Sequence, residues 1–239
     1  MSRSLIGVLT PSSNTILEPA TSALVSALPG VSAHFSRFTV TRIALSDEAN
    51  SQFEFAPMLA AARLLADAKV GVIAWSGTSA SWLGSEWDKA LCEAVTEATA
   101  IPACTAVGAV NELLALGQCR RVALVTPYTE DVQAKIVANY AQAGGRICAE
   151  AHAGLSENFA FSEVPSDRVK AMCRKVAADR PDAIVIMCTN MRGWNFMAEL
   201  EAELGIPLID STAAVVWKAL RILGVDSAPI SARGWMFSQ

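Results

Sequence analysis

Two stretches of this chain follow the same plan, and that repetition constrains the fold more than any other feature. Residues 71–84 read Gly-Val-Ile-Ala-Trp-Ser-Gly-Thr-Ser-Ala-Ser-Trp-Leu-Gly, an apolar run that breaks off at Gly77-Thr78-Ser79. Residues 183–194 read Ala-Ile-Val-Ile-Met-Cys-Thr-Asn-Met-Arg-Gly-Trp, again an apolar run ending in a polar turn. With Gly77 set against Cys188, the two strands coincide, as do Thr78 with Thr189 and Ser79 with Asn190. One copy carries a thiol where the other has no side chain.

The repetition extends further. Leu5-Ile6-Gly7-Val8-Leu9-Thr10-Pro11 matches Arg121-Val122-Ala123-Leu124-Val125-Thr126-Pro127, and Ile101-Pro102 matches Ile206-Pro207. Three segments thus recur in the same order. Short apolar runs bounded by turn signals suit fully buried parallel strands. Between them the pattern predicts strands at 33–40, 70–76 and 101–104, a loop at 42–50, and helices at 16–27, 55–68, 86–99, 105–116, 130–143 and 213–223. Gly117 stands where a glycine helix stop belongs. The fold expected is α/β, two similar doubly wound parallel-sheet halves. The first half spans residues 1–117 and the second 118–212, with 213–239 returning to the first. In such sheets ligands gather outside the carboxyl ends of the strands. If the halves face each other, residues 11–14, 77–79, 127–129 and 188–190 line one cleft.

Composition narrows the function classes. Over 239 residues, 52% hydrophobic and 18% charged, the net charge is −4, which offers no basic footprint for nucleic acid. No apolar run reaches the length of a membrane span, so no membrane partner is expected. The six cysteines form no CxxC pair, and His34 and His152 are the only histidines, too few for a persuasive metal site. Unpaired cysteines suit a reducing compartment, and a cytoplasmic protein is the expectation. The chain is compatible with a homo-oligomer.

The four turns carry the chemistry. Cys188, read as preceding a helix, would sit near a partial positive charge that lowers its pKa and readies it as a nucleophile or proton carrier. Gly77, Thr78 and Ser79 would offer backbone N–H groups and hydroxyls to a carboxylate or developing oxyanion. Ser12, Ser13 and Asn14 form a donor-rich turn that by default caps a helix. Tyr128 lies in the second Thr-Pro turn and is one of only two tyrosines. Asn158 is a loop residue, equally a turn former or a substrate contact. The other five cysteines read as packing, and so do the six tryptophans.

Taken together, Pro11-Ser12-Ser13-Asn14-Thr15, Gly77-Thr78-Ser79, Thr126-Pro127-Tyr128, Asn158, Cys188-Thr189-Asn190 and Leu204-Gly205-Ile206-Pro207 resemble the aspartate/glutamate racemase superfamily. The branch is that of maleate cis–trans isomerases and arylmalonate decarboxylases. The resemblance covers essentially the whole chain. It implies two α/β domains related by a pseudo-two-fold, and no metal or organic cofactor. Racemases and maleate isomerases of this kind use two cysteines facing each other across the cleft, whereas here the first position is Gly77. Glycine followed by Thr-Ser resembles the decarboxylase arrangement, in which one carboxylate leaves as carbon dioxide and a single cysteine reprotonates the enediolate. The Pro-Ser-Ser-Asn turn, Asn158 and Cys-Thr-Asn are more similar to the maleate isomerase pattern. Racemase-like ectoine-utilisation enzymes are similar as well.

The leading expectation is therefore decarboxylation of a substituted malonate. Cys188 donates the proton beside Gly77; Thr78, Ser79 and Tyr128 stabilise the enediolate. Asn14, Thr189 and Asn190, with Ser12, Ser13 and Asn158, hold a carboxylate. The rivals are an isomerase or one-base racemase acting on a small dicarboxylate or amino-acid derivative, and a binding protein that kept only the carboxylate pocket.

Overall fold

A computed structural model describes residues 3–239. Two four-stranded parallel sheets organise the chain. The first contains β1 (Ser4–Pro11), β2 (Val31–Phe38), β3 (Val72–Trp75) and β4 (Ala103–Thr105), in the order β2-β1-β3-β4. The second contains β5 (Arg121–Thr126), β6 (Arg146–His152), β7 (Ala183–Ile186) and β8 (Leu208–Asp210), in the order β6-β5-β7-β8. The orders are the same if each strand is counted within its own half, so the repeated segments hold equivalent places: β1 with β5, β3 with β7, β4 with β8.

β3 and β7 are central strands with every residue buried, and they hold only apolar side chains. This is what helices on both faces of a parallel sheet demand. In the first half the helices are α1 (Leu17–Val25), α2 (Asp47–Asn50), α3 (Phe55–Asp67), α4 (Ala80–Leu83), α5 (Ser85–Thr99) and α6 (Ala106–Leu116). In the second they are α7 (Glu130–Gln142), α8 (Asn158–Phe161), α9 (Ser166–Ala177) and α10 (Met197–Leu204), followed by α11 (Ser211–Ile222).

α11 starts from the end of β8 but packs on α6, α1 and β3 of the first half. That placement buries every residue of its run Ser211–Trp217, while Lys218 and Arg221 in its last turns reach the surface. A stretch buried on all sides is one surrounded by protein. The two sheets are thus tied at two places, by the connection after α6 and by this returning helix. No described helix is long and apolar enough to cross a membrane.

Several local expectations need correction. The stretch 42–50 is not all loop: Ser46 accepts a hydrogen bond from Ala49 N and caps the short α2. Asn158 is the first residue of α8 and is buried, so it is not a loop residue. Gly117 is not a left-handed helix stop, since its φ is −75° and the left-handed turn falls on Gln118 at φ +52°. Gly117 is instead required for space: a Cβ there would stand 2.8 Å from the Trp235 ring and 2.9 Å from Cys119 Sγ.

Candidate active site

The strand-end turns of the two sheets meet, and a hydrogen-bond network stitches them. Asn14 Oδ1 accepts from the N–H groups of Ile16 and Leu17, both at 2.9 Å, and so satisfies two orphan donors at the start of α1. Its Nδ2 then donates to Thr189 Oγ1 at 3.2 Å in the other half. Thr189 Oγ1 donates in turn to the carbonyl of Ser76, 2.9 Å away. Thr15 N–H reaches Asn190 Oδ1 at 3.0 Å, and Asn190 Nδ2 donates to the Asn158 carbonyl at 2.6 Å. Asn158 Nδ2 donates to Ser13 Oγ at 2.8 Å, which donates to the Val40 carbonyl at 2.6 Å. Asn14, Ser13, Asn158, Thr189 and Asn190 are brought together, with much of their polarity spent on one another.

Ser12 is not part of this group. It is exposed, and its hydroxyl pairs with the backbone of Val40 at the edge of β2. Ser12 and Ser13 lie in a turn closed by Asn14 N–H on Pro11 O at 3.0 Å, and both hydroxyls reach the Val40 carbonyl; only the half-buried Ser13 also accepts from Asn158.

At the centre stands Tyr128. Its hydroxyl hydrogen-bonds Thr78 Oγ1 at 2.6 Å, across the two halves, and lies near the Cys188 thiol. Trp82 and Phe161 pack edge-on against its ring, each with centroids 5.4 Å away, and fix its orientation. Cys188 Sγ also accepts from the backbone N–H of Asn190 at 3.4 Å. Exposure is 5% at Thr78, 2% at Tyr128 and 3% at Cys188, so the site is closed to water.

Cys188 does not stand at a helix N-terminus, as its sequence context suggested. Residues 189–196 are turns and bends, and α10 begins only at Met197. The thiol pKa is accordingly raised to about 12, first by burial and also by the Asp210 carboxylate, against the Asn190 N–H and the nearby Tyr128 hydroxyl. A shift from 9 to about 12 makes the thiolate harder to form by about 4 kcal/mol. Cys188 is therefore held as a thiol at neutral pH, with its proton present for transfer but more costly to lose than that of an ordinary cysteine.

Asp210 ends β8 and caps α11, its Oδ1 accepting from Thr212 N and Ala213 N at 2.9 Å each. Its Oδ2 is buried without a partner, and burial raises the carboxyl pKa to about 7.

In the first half, Gly77 has no side chain and the Trp75 indole fills the space beside it. Trp75 Nε1–H donates to Ser79 Oγ at 3.3 Å, so the Ser79 hydroxyl serves the indole. Sequence reasoning took Trp75 as packing alone. The signal was there: two residues before Gly77, it shares a strand face with it. Also missed was a clasp over the cleft, in which Asn158 N–H bonds Thr41 O at 2.9 Å and Ile43 N–H bonds Ser156 O at 2.8 Å. No periodicity marks these residues, because they meet only when the halves do. A cavity of about 920 Å³ lies elsewhere, among α4, α6, α7 and the connection after α6. Among the described residues no three His, Cys, Asp or Glu side chains gather as metal ligands.

Comparison with known proteins places this geometry. The family model described as arylmalonate decarboxylase matches residues 14–237. An arylmalonate decarboxylase from Bordetella bronchiseptica is 31% identical over 182 residues, 74% of this chain and 75% of that protein. A maleate isomerase from Nocardia farcinica is 30% identical over 235 residues, 93% of this chain and 91% of that one. The structure of a Nocardia farcinica maleate cis–trans isomerase variant with a covalently bound succinylcysteine intermediate superposes with a TM-score of 0.88 at 27% identity, covering 99% of this chain and 98% of that one. A crystal structure of arylmalonate decarboxylase gives 0.79 at 25% identity, covering 98% of this chain and 99% of that one. The chain belongs to the arylmalonate decarboxylase family, an enzyme family in the branch of the aspartate/glutamate racemase superfamily that also holds the maleate isomerases.

Proposed function

We propose that this protein is a cofactor-independent decarboxylase of a substituted malonate. The observation that carries the reading is a single cleft thiol, held protonated, set against a glycine whose neighbouring space is filled. Loss of carbon dioxide needs no base. The bond from the α-carbon to one carboxylate breaks, carbon dioxide leaves, and the electron pair spreads into an enediolate on the remaining carboxylate. Cys188 S–H then gives its proton to the α-carbon, and the thiolate recovers one from solvent when the cleft opens. Tyr128 O–H and Asn190 N–H face the sulfur and stabilise the transient thiolate.

Thr78 and the backbone of the 77–79 turn are the donors available to the enediolate oxygens. Preorganised donors in a dry site are worth about 3–4 kcal/mol each. An ordinary racemase cycle would require Cys188 to remove a proton, against its raised pKa and beside an anionic substrate. The decarboxylase path requires only the protonation state the site already favours.

The alternative is an isomerase or one-base racemase of a small dicarboxylate. It draws support from the 30% identity to a maleate isomerase across 93% of the chain. The two readings separate in D₂O with phenylmalonate and maleate, followed for gas release and by NMR. Carbon dioxide with one deuterium in the product is the expected result. Isomerisation or exchange without gas would sink the decarboxylase reading.

A further inference from the structure

Gly77 is the position that distinguishes this site from a two-thiol one, and the reason for the glycine is not backbone strain. Seven glycines in the described chain have positive φ, and Gly77 is not among them. Any residue could adopt its backbone. What forbids a side chain is volume: a Cβ on residue 77 would overlap Trp75 Cζ2 and lie 2.5 Å from Cε2 and Cη2. The ring has nowhere to go. Phe38 packs on it with centroids 5.2 Å apart, Ser79 holds its N–H at 3.3 Å, and its exposure is 2%.

We propose that Trp75 is the specificity-determining residue of this site. Its indole occupies the space that a side chain at residue 77 needs, and so confines proton delivery to the Cys188 face. The proposal rests on the decarboxylase reading and deepens it. β3 and β7 hold equivalent places in their sheets, so Gly77 and Cys188 end equivalent strands in the two halves. A carbanion between them meets a thiol on one side and, on the other, a turn closed by an aromatic ring with no acid or base. A prochiral malonate is then protonated to one enantiomer. Trp75 also limits how far the site can change, because a cysteine introduced at residue 77 has no room beside an intact indole.

The test combines a stability cycle with a stereochemical one. Gly77→Ala lowers Tm by about 5 °C or more in the wild-type background and by less than about 2 °C beside Trp75→Leu, a change that frees the ring volume while keeping an apolar side chain. Equal losses in both backgrounds would overturn the wedge. With methylphenylmalonate, the wild type yields one enantiomer of 2-phenylpropionate. Gly77→Cys alone still yields that one enantiomer, whereas Trp75→Leu with Gly77→Cys yields both, because a second thiol then protonates the opposite face. Both enantiomers from Gly77→Cys alone, in the ratio given by the double variant, also overturn the proposal. Coupled Tm losses in a wild type that releases no carbon dioxide would retire the decarboxylase reading and leave the wedge standing. Additive losses in an active enzyme would retire the wedge alone.

Discussion

The turn after β3 and the turn after β7 occupy equivalent places in equivalent sheets, and they have come to opposite states. After β3 the chain runs through Gly77, Thr78 and Ser79 into α4 at Ala80, and an indole fills the space at the missing side chain. After β7 it runs through Cys188, Thr189 and Asn190 with no helix until Met197, and the thiol remains. The first turn holds donors without a titratable group. The second holds a proton on sulfur, kept there by burial and by Asp210. A duplicated scaffold thus supplies two faces of a cleft, and local packing decides that only one of them carries the proton.

The sharpest way to break that contrast is to remove the thiol. Cys188→Ala should lower kcat by about 10³-fold or more, because no other thiol, carboxyl or imidazole side chain belongs to the four turns. In the wild type, kcat should stay level through neutral pH and fall only as pH rises toward the thiol pKa of about 12. A kcat that instead rises with pH from near 7 would mean that Cys188 works as a thiolate, and would move the chemistry toward nucleophilic attack.

Next in size is the bridge between the turns. Tyr128→Phe removes the hydroxyl that bonds Thr78 and lies near Cys188 while keeping the ring between Trp82 and Phe161. A loss of about 10²-fold in kcat, with KM little changed, is expected of a donor that acts on developing charge. A rise in KM at constant kcat would make Tyr128 a binding residue instead.

The smallest effect concerns the support behind the thiol. The Asp210 carboxyl has its pKa raised to about 7 in the folded protein, above the ordinary 3.8. A carboxyl raised in this way favours the folded state when protonated. Its contribution is present below about pH 4 and is lost as pH rises through about 7. Asp210→Asn keeps the Oδ1 cap on Thr212 and Ala213, so Tm measured from pH 5 to 8 should fall less in the variant than in the wild type. Parallel profiles would show that Asp210 does not titrate in this window.

The alternation of short apolar strands with helices was legible because a buried parallel strand must be apolar throughout, and the three recurring segments marked equivalent strands. The position of the candidate site could be read too, since Thr78-Ser79 and Thr189-Asn190 follow the two matched apolar runs and Tyr128 follows the second Thr-Pro. The place of Ser12 was not legible. Its neighbour Ser13 has the same chemistry and bonds the same Val40 carbonyl, and only Asn158, arriving from the other half, draws Ser13 into the group. The stop assigned to Gly117 failed for a similar reason, because the glycine answers to Trp235, far away in sequence.

By itself, the sequence determined the alternation of buried strands and helices, the duplication, and the presence of one thiol where a matching turn has none. The tertiary structure decided how that thiol behaves. Its protonation follows from burial and from Asp210, its partner Tyr128 comes from another strand, and the blank face opposite is held by an indole pressed between Phe38 and Gly77. These are properties of distance and solvent exclusion, which arise only when segments remote in the chain are packed together.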